Sequence, residues 1–278
     1  MDAVLERAPA KINLVLRVGP RRSDGYHEVV SLMARVDIAD TLTVARAERT
    51  VVDCPRLEGG DTLVTRALNA FLAAAGPDRV SGGFHAVVAK RIPAGAGLGG
   101  GSSDAAAALR AANRLCGEPL SAADLAAVAA TIGSDVPFFL GPAVAIARGR
   151  GVQLVPAPQL PPAAVVLAHP GRPLATRDVY DAYRAAGPAI ALDLPDPVPS
   201  LAALAALVAN DLGPVAERLE PACRALRLEL SYRGAAAACV TGSGSAVFGL
   251  FPDLAAASAA AAALPGAAWA RAATLSAS

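Results

Sequence analysis

Residues 93–103 read Pro-Ala-Gly-Ala-Gly-Leu-Gly-Gly-Gly-Ser-Ser, and their chemistry is that of an anion cradle. Gly95, Gly97, Gly99, Gly100 and Gly101 lack the Cβ atoms that keep a ligand away from main-chain N–H groups. Ser102 and Ser103 close the segment and a helix-forming run follows. Several amides and a helix N-terminus then converge, as phosphate binding requires. The plainer reading is a tight loop in a chain rich in alanine and glycine. The segment is not a Walker loop, which needs Lys-Ser/Thr after the last glycine, nor a dinucleotide fingerprint, which needs a βαβ unit. A second loop, Thr241-Gly242-Ser243-Gly244-Ser245, joins two apolar runs. It is either a hairpin turn or a second anion cradle facing the first. Asp135 stands in a polar island, Gly133-Ser-Asp-Val-Pro137, as a turn residue or a site carboxylate. Lys11, between Ile12 and apolar neighbours, is a snorkelling surface lysine or a paired, buried one. Tyr26 and His27 lie in a polar turn, where neither reads as a core residue.

These residues need elements to hold them. Val4–Leu5, Ala10–Val18, Val36–Ala45 and Phe84–Ala89 are β-branched runs that predict strands. Helices are predicted over Asp61–Ala75, stopped by Gly76-Pro77, and over Ser102–Leu115. Ser121 with Asp124 has the spacing of a capping box for a third helix. Pro137–Leu140 and Ala143–Ala147 predict a buried turn and a strand. Pro156–Pro162 is proline-rich and aperiodic, a domain boundary or a surface loop. Beyond it come strands over Ala164–Ala168, Ala237–Val240, Ala246–Phe251 and Trp269–Leu275. Helices are predicted over Thr176–Ala185, Leu201–Val208, Val215–Glu229 and Asp253–Leu264. The order is α+β rather than a βαβ repeat.

Composition narrows the function. Of 278 residues 54% are hydrophobic and 18% charged, enough to bury a core, and 25 Lys+Arg against 24 Asp+Glu leave a net charge of +1. A surface built for nucleic acid is not expected from that balance. Mean hydropathy is +0.43, yet the longest alanine-rich run, 254–264, is shorter than the roughly 20 residues a membrane helix needs. No signal peptide is expected, since Asp2, Glu6 and Arg7 precede no apolar stretch. Cys54, Cys116, Cys223 and Cys239 form no CxxC pair and read as reduced thiols of a cytoplasmic protein. Three unclustered histidines, His27, His85 and His169, give little support to a transition-metal site. His85 reads as structural, and Lys90 and Arg91 as contacts to phosphate or to solvent.

Three blocks carry a family resemblance: Ala8-Pro-Ala-Lys11-Ile-Asn13-Leu with Gly19 and Arg22-Ser-Asp24-Gly25-Tyr26-His27, Ile92 to Ala106, and Val240 to Phe248. A fourth stretch, Ile132-Gly-Ser-Asp135-Val-Pro-Phe-Phe139, fits the same pattern. The chain resembles the small-molecule kinases that include galactokinase, homoserine kinase, mevalonate kinase and phosphomevalonate kinase (GHMP kinases). The resemblance implies a two-domain α+β fold. A ribosomal-S5-like α/β domain over 1–155 would carry the phosphate loop, and a ferredoxin-like α+β domain would cover 156–278. ATP and Mg²⁺ are the implied cofactors. Pro93, Gly95, Gly97, Leu98, Gly99, Gly100, Gly101, Ser102 and Ser103 would bind the nucleotide, with Ser102 or Ser103 helping to hold Mg²⁺. Asp135 would be the catalytic base and Lys11 its partner. Asn13, Tyr26, His27, Tyr180, Gly242, Ser243 and Gly244 would bind the acceptor. The Lys11/Asn13 block with Asp24-Gly-Tyr-His27 implies that this acceptor is the tertiary 2-hydroxyl of a cytidine-diphosphate-linked methylerythritol. Asp61-Thr62-Leu63 departs from the Asp-Asn-Leu frequent in the family, and Asp104 stands where some relatives have asparagine, a swap expected to matter little. A monomer or weak homodimer is expected.

Such residues have defined work in phosphoryl transfer, which needs alignment and electrostatics more than covalent chemistry. An ionised Asp135 would accept the hydroxyl proton, and a lysine beside it would keep it ionised and neutralise the acceptor oxygen. Three other readings remain at this point: a kinase of the same family acting on homoserine or mevalonate, a related ATP-dependent decarboxylase, and a phosphate-binding protein without turnover. The presence of both Asp135 and Lys11 argues against the last.

Overall fold

The computed structural model describes residues 3–55, 62–185, 187 and 192–276. In chain order the elements are β1 (Ala3–Arg21), β2 (His27–Ala47), β3 (Val51–Asp53), α1 (Thr62–Ala75), β4 (Gly83–Ala89), α2 (Gly100–Leu115), α3 (Ala122–Ile132), a 3-10 turn (Pro137–Phe139), β5 (Val144–Gly149), β6 (Gln153–Pro156), β7 (Ala164–His169), α4 (Thr176–Ala182), α5 (Leu201–Leu207), β8 (Ala209–Asn210), α6 (Gly213–Leu219), α7 (Pro221–Tyr232), β9 (Ala237–Val240), β10 (Val247–Phe251), α8 (Leu254–Ala262) and β11 (Trp269–Thr274). They form two compact units that are interleaved along the chain. One takes 1–10, 38–92 and 99–141, the other 11–37, 93–98 and 142–278. The proline-rich stretch 156–162 lies inside the second unit, so the compact units do not part at 155/156.

In the first unit the later part of β2 pairs antiparallel with β4, from Thr41↔Ala89 to Ala47↔Gly83, and β3 runs parallel to β4. From Phe84 onward β4 alternates, with Phe84, Ala86 and Val88 buried and His85, Val87 and Ala89 exposed. Phe84 meets Phe71 of α1 edge-on at 5.8 Å between ring centroids. Helices α1, α2 and α3 pack on one another. Ala105–Ala108, Ala111 and Ala112 of α2 are wholly buried, and methyl-sized side chains let neighbours approach that helix closely. The capping box of α3 forms: Ser121 Oγ accepts from Asp124 N at 3.2 Å and Asp124 Oδ2 from Ser121 N at 3.1 Å.

In the second unit the early part of β2 pairs antiparallel with β5, β5 with β6, and β1 runs parallel to β8 at Val15↔Ala209. A separate antiparallel sheet has the order β11-β7-β10-β9. Helices α7 and α8 pack on it, and Val166, Leu226, Leu230, Val247, Phe251 and Leu264 share its core. A smaller cluster gathers Leu16, Val18, Val29, Val179, Leu212 and Val215.

Several elements differ from expectation for identifiable reasons. The single helix over Val215–Glu229 is two, because Pro221 has no N–H to continue α6 and Glu220 takes an extended backbone there (φ −134°, ψ 91°). β1 absorbs both predicted pieces across Pro9, and β2 begins at His27 rather than at residue 36. Helix α2 starts at Gly100, two residues early, and α4 stops at Ala182. β3, β6 and β8 are too short for any periodicity. Asp61, the expected start of α1, lies outside the described residues. Among the described residues no cysteine is joined in a disulfide. Burial pushes the Cys223 thiol up to about 12, with Glu220 and Glu217 adding to it, and raises Cys239 to about 11. No helix among the described residues is long and apolar enough to cross a membrane.

Candidate active site

The first glycine loop is held open by its glycines. Gly95, Gly97 and Gly99 have φ of 65°, 80° and 70°, the left-handed region that side chains avoid. A Cβ on Gly97 would lie 2.6 Å from Thr241 O. Because α2 begins at Gly100, the amides of Gly100, Gly101 and Ser102 belong to its first turn and have no intrahelical acceptor. Gly99 at the N-cap position supplies no side-chain cap. Ser103 N is bonded to Gly99 O at 2.9 Å, while Ser103 Oγ is buried without a hydrogen-bond partner. A buried hydroxyl left over in the first turn, beside uncapped amides, fits a phosphate-bound Mg²⁺ ion or a phosphate oxygen. Pro93 has no N–H to offer and Leu98 is 1% exposed, so neither brings a polar side chain, and Leu98 serves as an anchor. Among the described residues no cluster of three His, Cys, Asp or Glu could hold a metal.

Beneath the loop, Lys90 is neither a phosphate contact nor a solvent one. Its Nζ lies 2.5 Å from Asp40 Oδ2 and 2.6 Å from Asp104 Oδ2, all three side chains being buried. Desolvation pulls the ammonium's pKa down, but the two carboxylates outweigh it and hold the pKa above its ordinary value. Asp40 Oδ1 accepts from Arg91 N and from Ile92 N, the latter at 2.9 Å. Lys90 and Asp40 therefore fix the strand end from which the loop departs. Asp104 is not a neutral swap for asparagine here, since its carboxylate lies 2.6 Å from this buried cation.

In the second unit the two glycine loops meet. Ala246 N donates to Ala96 O at 2.9 Å and Lys11 N to Leu98 O at 3.0 Å. A Cβ on Gly242 would stand 3.2 Å from Gly97 O, 3.4 Å from Asn13 Oδ1 and 3.5 Å from Lys11 Nζ. Lys11 and Asn13 are thus buried beside both loops. Lys11 Nζ donates to Asn13 Oδ1 at 2.6 Å, and Thr241 Oγ1 accepts from Asn13 N at 2.9 Å. Side chains grip the second loop. Asn210 Nδ2 donates to Val240 O and Gly242 O, both at 2.8 Å, and the Ser243 and Thr176 hydroxyls lie 2.9 Å apart. His169 Nδ1 accepts from Gly171 N at 3.0 Å, which makes Nε2 the donor to Ser245 Oγ at 3.0 Å. Ser245 Oγ in turn donates to Arg172 O. The hairpin is therefore a braced structure, and His169 has a bracing task rather than a chemical one.

The polar turn of residues 22–27 is tied to itself. Asp24 Oδ1 accepts from Tyr26 N at 3.1 Å and Asp24 Oδ2 from Arg22 Nε at 3.2 Å. His27 lies 5.2 Å from Tyr180 between ring centroids, and Tyr183 adds an edge at 6.3 Å. Tyr183 OH donates to Val18 O at 2.8 Å. Burial, then Arg21, lowers the His27 pKa and favours its neutral ring. Tyr26 stands apart from that group, half exposed, with Arg150 over its ring at 5.5 Å.

Asp135 lies in the first unit, between the end of α3 and the 3-10 turn. Arg110 fastens that turn: Nη1 donates to Phe139 O at 2.9 Å, Nε to Glu6 Oε2 at 2.9 Å and Nη2 to Arg7 O at 3.1 Å. Lys11 belongs to the second unit. The site features the sequence does not single out are Asp40, Arg110, Asn210, Thr176, Tyr183 and Ser31, which no motif marks. His85 has the structural part expected of it, 2.7 Å from Asp53 Oδ2 on the surface.

The fold and its glycine loops define a class. The family model described as GHMP kinases N terminal domain matches residues 62–141, and GHMP kinases C terminal matches 197–271. A homoserine kinase from Cytophaga hutchinsonii, 18% identical, shares the fold at a TM-score of 0.71 over 100% of this chain and 95% of its own. A crystal structure of 4-(cytidine 5'-diphospho)-2C-methyl-D-erythritol kinase superposes at a TM-score of 0.81, 40% identical over 98% of this chain and 99% of its own. The 4-diphosphocytidyl-2-C-methyl-D-erythritol kinase of Anaeromyxobacter sp. (strain Fw109-5) is 46% identical over 251 residues, 88% of this chain and 81% of the relative. That of Geobacter metallireducens is 38% identical over 256 residues, 90% of each. The chain belongs to the GHMP kinases and, within them, to the 4-diphosphocytidyl-2-C-methyl-D-erythritol kinase family.

Proposed function

We propose that the protein transfers the γ-phosphoryl group of ATP to the 2-hydroxyl of 4-diphosphocytidyl-2-C-methyl-D-erythritol, a step in the non-mevalonate route to isoprenoid precursors. The observation that carries this reading is the His27–Tyr180 pair, 5.2 Å apart, in a chain of which 88% and 98% match kinases named for a cytidyl acceptor. A tilted aromatic pair with a neutral imidazole suits a pyrimidine base and its polar edge. Tyr26, by its turn, and Gly242, Ser243 and Gly244, by their loop, complete the acceptor's surroundings. The family halves are 1–155 and 156–278, the cell compartment is the cytoplasm, and the assembly is a monomer or weak homodimer.

The chain's residues divide the work. Main-chain amides over Gly97 to Ser103, those of Gly100, Gly101 and Ser102 foremost since Ser103 N is bonded to Gly99 O, hold the ATP phosphates. Mg²⁺, when bound there, supplies charge neutralisation of those phosphates, with Ser103 or Ser102 as its hydroxyl partner. Asp135 takes the proton of the acceptor hydroxyl as that oxygen bonds to the γ-phosphorus and the bond from that phosphorus to the β,γ-bridging oxygen breaks, leaving ADP. Lys11 sets a positive charge at the acceptor oxygen and Asn13 orients it. Purified protein incubated with ATP, Mg²⁺ and a panel of alcohols tests the reading by phosphorus NMR. Phosphorylation of the cytidyl acceptor well ahead of homoserine and mevalonate is expected. Preference for either of those, or no product from any, overturns it.

A further inference from the structure

Ser31 lies in β2, 2% exposed, in no motif. Its hydroxyl has one proton to give. That proton goes to Val15 O at 2.7 Å, so toward Asn13 Nδ2, at 2.8 Å, the oxygen can only accept. The amide is thereby turned, and Asn13 Oδ1 faces Lys11 Nζ at 2.6 Å. An ammonium only donates and a main-chain carbonyl only accepts, so the series Lys11, Asn13, Ser31, Val15 has a single polarity. The assignment of the amide oxygen follows from its two ends. Lys11 and Asn13 are 4% and 5% exposed, leaving little water to repair a broken link. Thr241 adds little to the task. Its Oγ1 accepts from the main-chain N of Asn13 at 2.9 Å and donates to Oδ1 only across a long 3.5 Å, a weaker support for the same amide orientation than the 2.8 Å bond to Ser31.

We infer that Ser31 is a positioning residue for Lys11. Through the Asn13 amide it keeps an acceptor oxygen turned to the ammonium and so fixes where that charge points. With the amide reversed, an NH₂ group would face the ammonium and an oxygen would face a hydroxyl whose proton is committed elsewhere. A lysine side chain has several free rotors, and one held in place loses less freedom when the reaction needs it. The catalytic part of this inference rests on the proposed role of Lys11. The hydrogen-bond series itself does not.

Ser31→Ala removes the acceptor of Asn13 Nδ2, and Ser31→Thr keeps a hydroxyl on the same Cβ. In Ser31→Ala kcat is expected to fall about tenfold, the scale of a lost hydrogen bond in a series that ends on a charge. The KM for ATP should change less than about twofold, and Ser31→Thr should recover most of kcat. In a Lys11→Ala background the same change should cost less than about twofold, because the two residues act as one. The ζ-¹⁵N signal of Lys11, assigned by its loss in Lys11→Arg, should be sharp in the wild type and broadened by solvent exchange in Ser31→Ala. If Ser31→Ala does not fold, Ser31→Cys takes its place, with a thiol that is a weaker partner. Unchanged kcat with an unchanged Lys11 signal overturns the inference, as does a loss that multiplies fully with that of Lys11→Ala. A wild type that does not phosphorylate the acceptor, or a fully active Lys11→Ala, instead removes the functional reading, and the NMR signal then decides the positioning by itself.

Discussion

Asp135→Asn keeps the size of the side chain and removes the proton acceptor. General-base catalysis is worth about 10²–10⁴-fold, so kcat should fall within that range, and the KM for ATP should stay nearly constant under the proposal that main-chain amides hold the phosphates. Lys11→Ala should also lower kcat, and the double variant should lose less than the product of the two, since both would serve one transition state. Steady-state kinetics on the three folded variants checks this, and a near-normal kcat in Asp135→Asn removes it as the base. At this scale the sequence was readable where a residue sits in a dense local pattern. Lys11, Asn13 and the glycines all do, and the structure sets them side by side. It was silent where a residue acts by hydrogen bonding to a distant one. Asp40 supports Lys90 from 50 positions away and Asn210 holds Val240 O from 30, and no local spacing reports such a partner. Lys90 shows the same limit from the other side, because its identity leaves phosphate and solvent equally open whereas two buried carboxylates hold it.

Among elements, the first glycine loop carries the sharpest prediction. Gly97 has φ 80° and its missing Cβ would sit 2.6 Å from Thr241 O, so Gly97→Ala must push the two loops apart or move its own backbone. We expect ATP affinity to fall at least tenfold (about 1.4 kcal/mol), with a smaller fractional change in thermal stability, measured by nucleotide titration beside thermal unfolding. An ATP affinity like that of the wild type would show that the loop does not grip phosphate. Elements were legible when one force dominated. β7 and β10 are buried at every position and read as short apolar runs, and α3 announces itself through its capping box. The α6–α7 pair was not legible, because alanine and leucine run through both and the break depends on Pro221 together with an extended Glu220. β8, two residues long, exists only through pairing with β1, which tertiary structure alone supplies.

For the molecule as a whole, the buried histidine brace sets an acid limit. Burial lowers the His169 pKa below its ordinary value of 6.5. In the window between the folded pKa and 6.5 the unfolded chain binds more protons, so stability is complete above 6.5 and falls as pH drops through the folded pKa. Protonated Nδ1 could no longer accept from Gly171 N. The midpoint of thermal unfolding should therefore decline between pH 7 and pH 5, and His169→Gln should show a flatter decline over that interval. An identical slope in the two proteins would assign the acid limit elsewhere. The interleaving of the two compact units has a consequence of another kind. The chain passes between them at 10/11, 37/38, 92/93, 98/99 and 141/142. A gene cut at codon 156 thus encodes no pair of self-sufficient modules: the leading piece keeps β1 and β2 but lacks β8, which flanks β1 on the side away from β2, and the whole β11-β7-β10-β9 sheet. Each piece would complete itself only on the other. That is the property wanted of a split reporter, in which two bait proteins fused to the fragments restore growth to a cell dependent on this enzyme only when the baits meet.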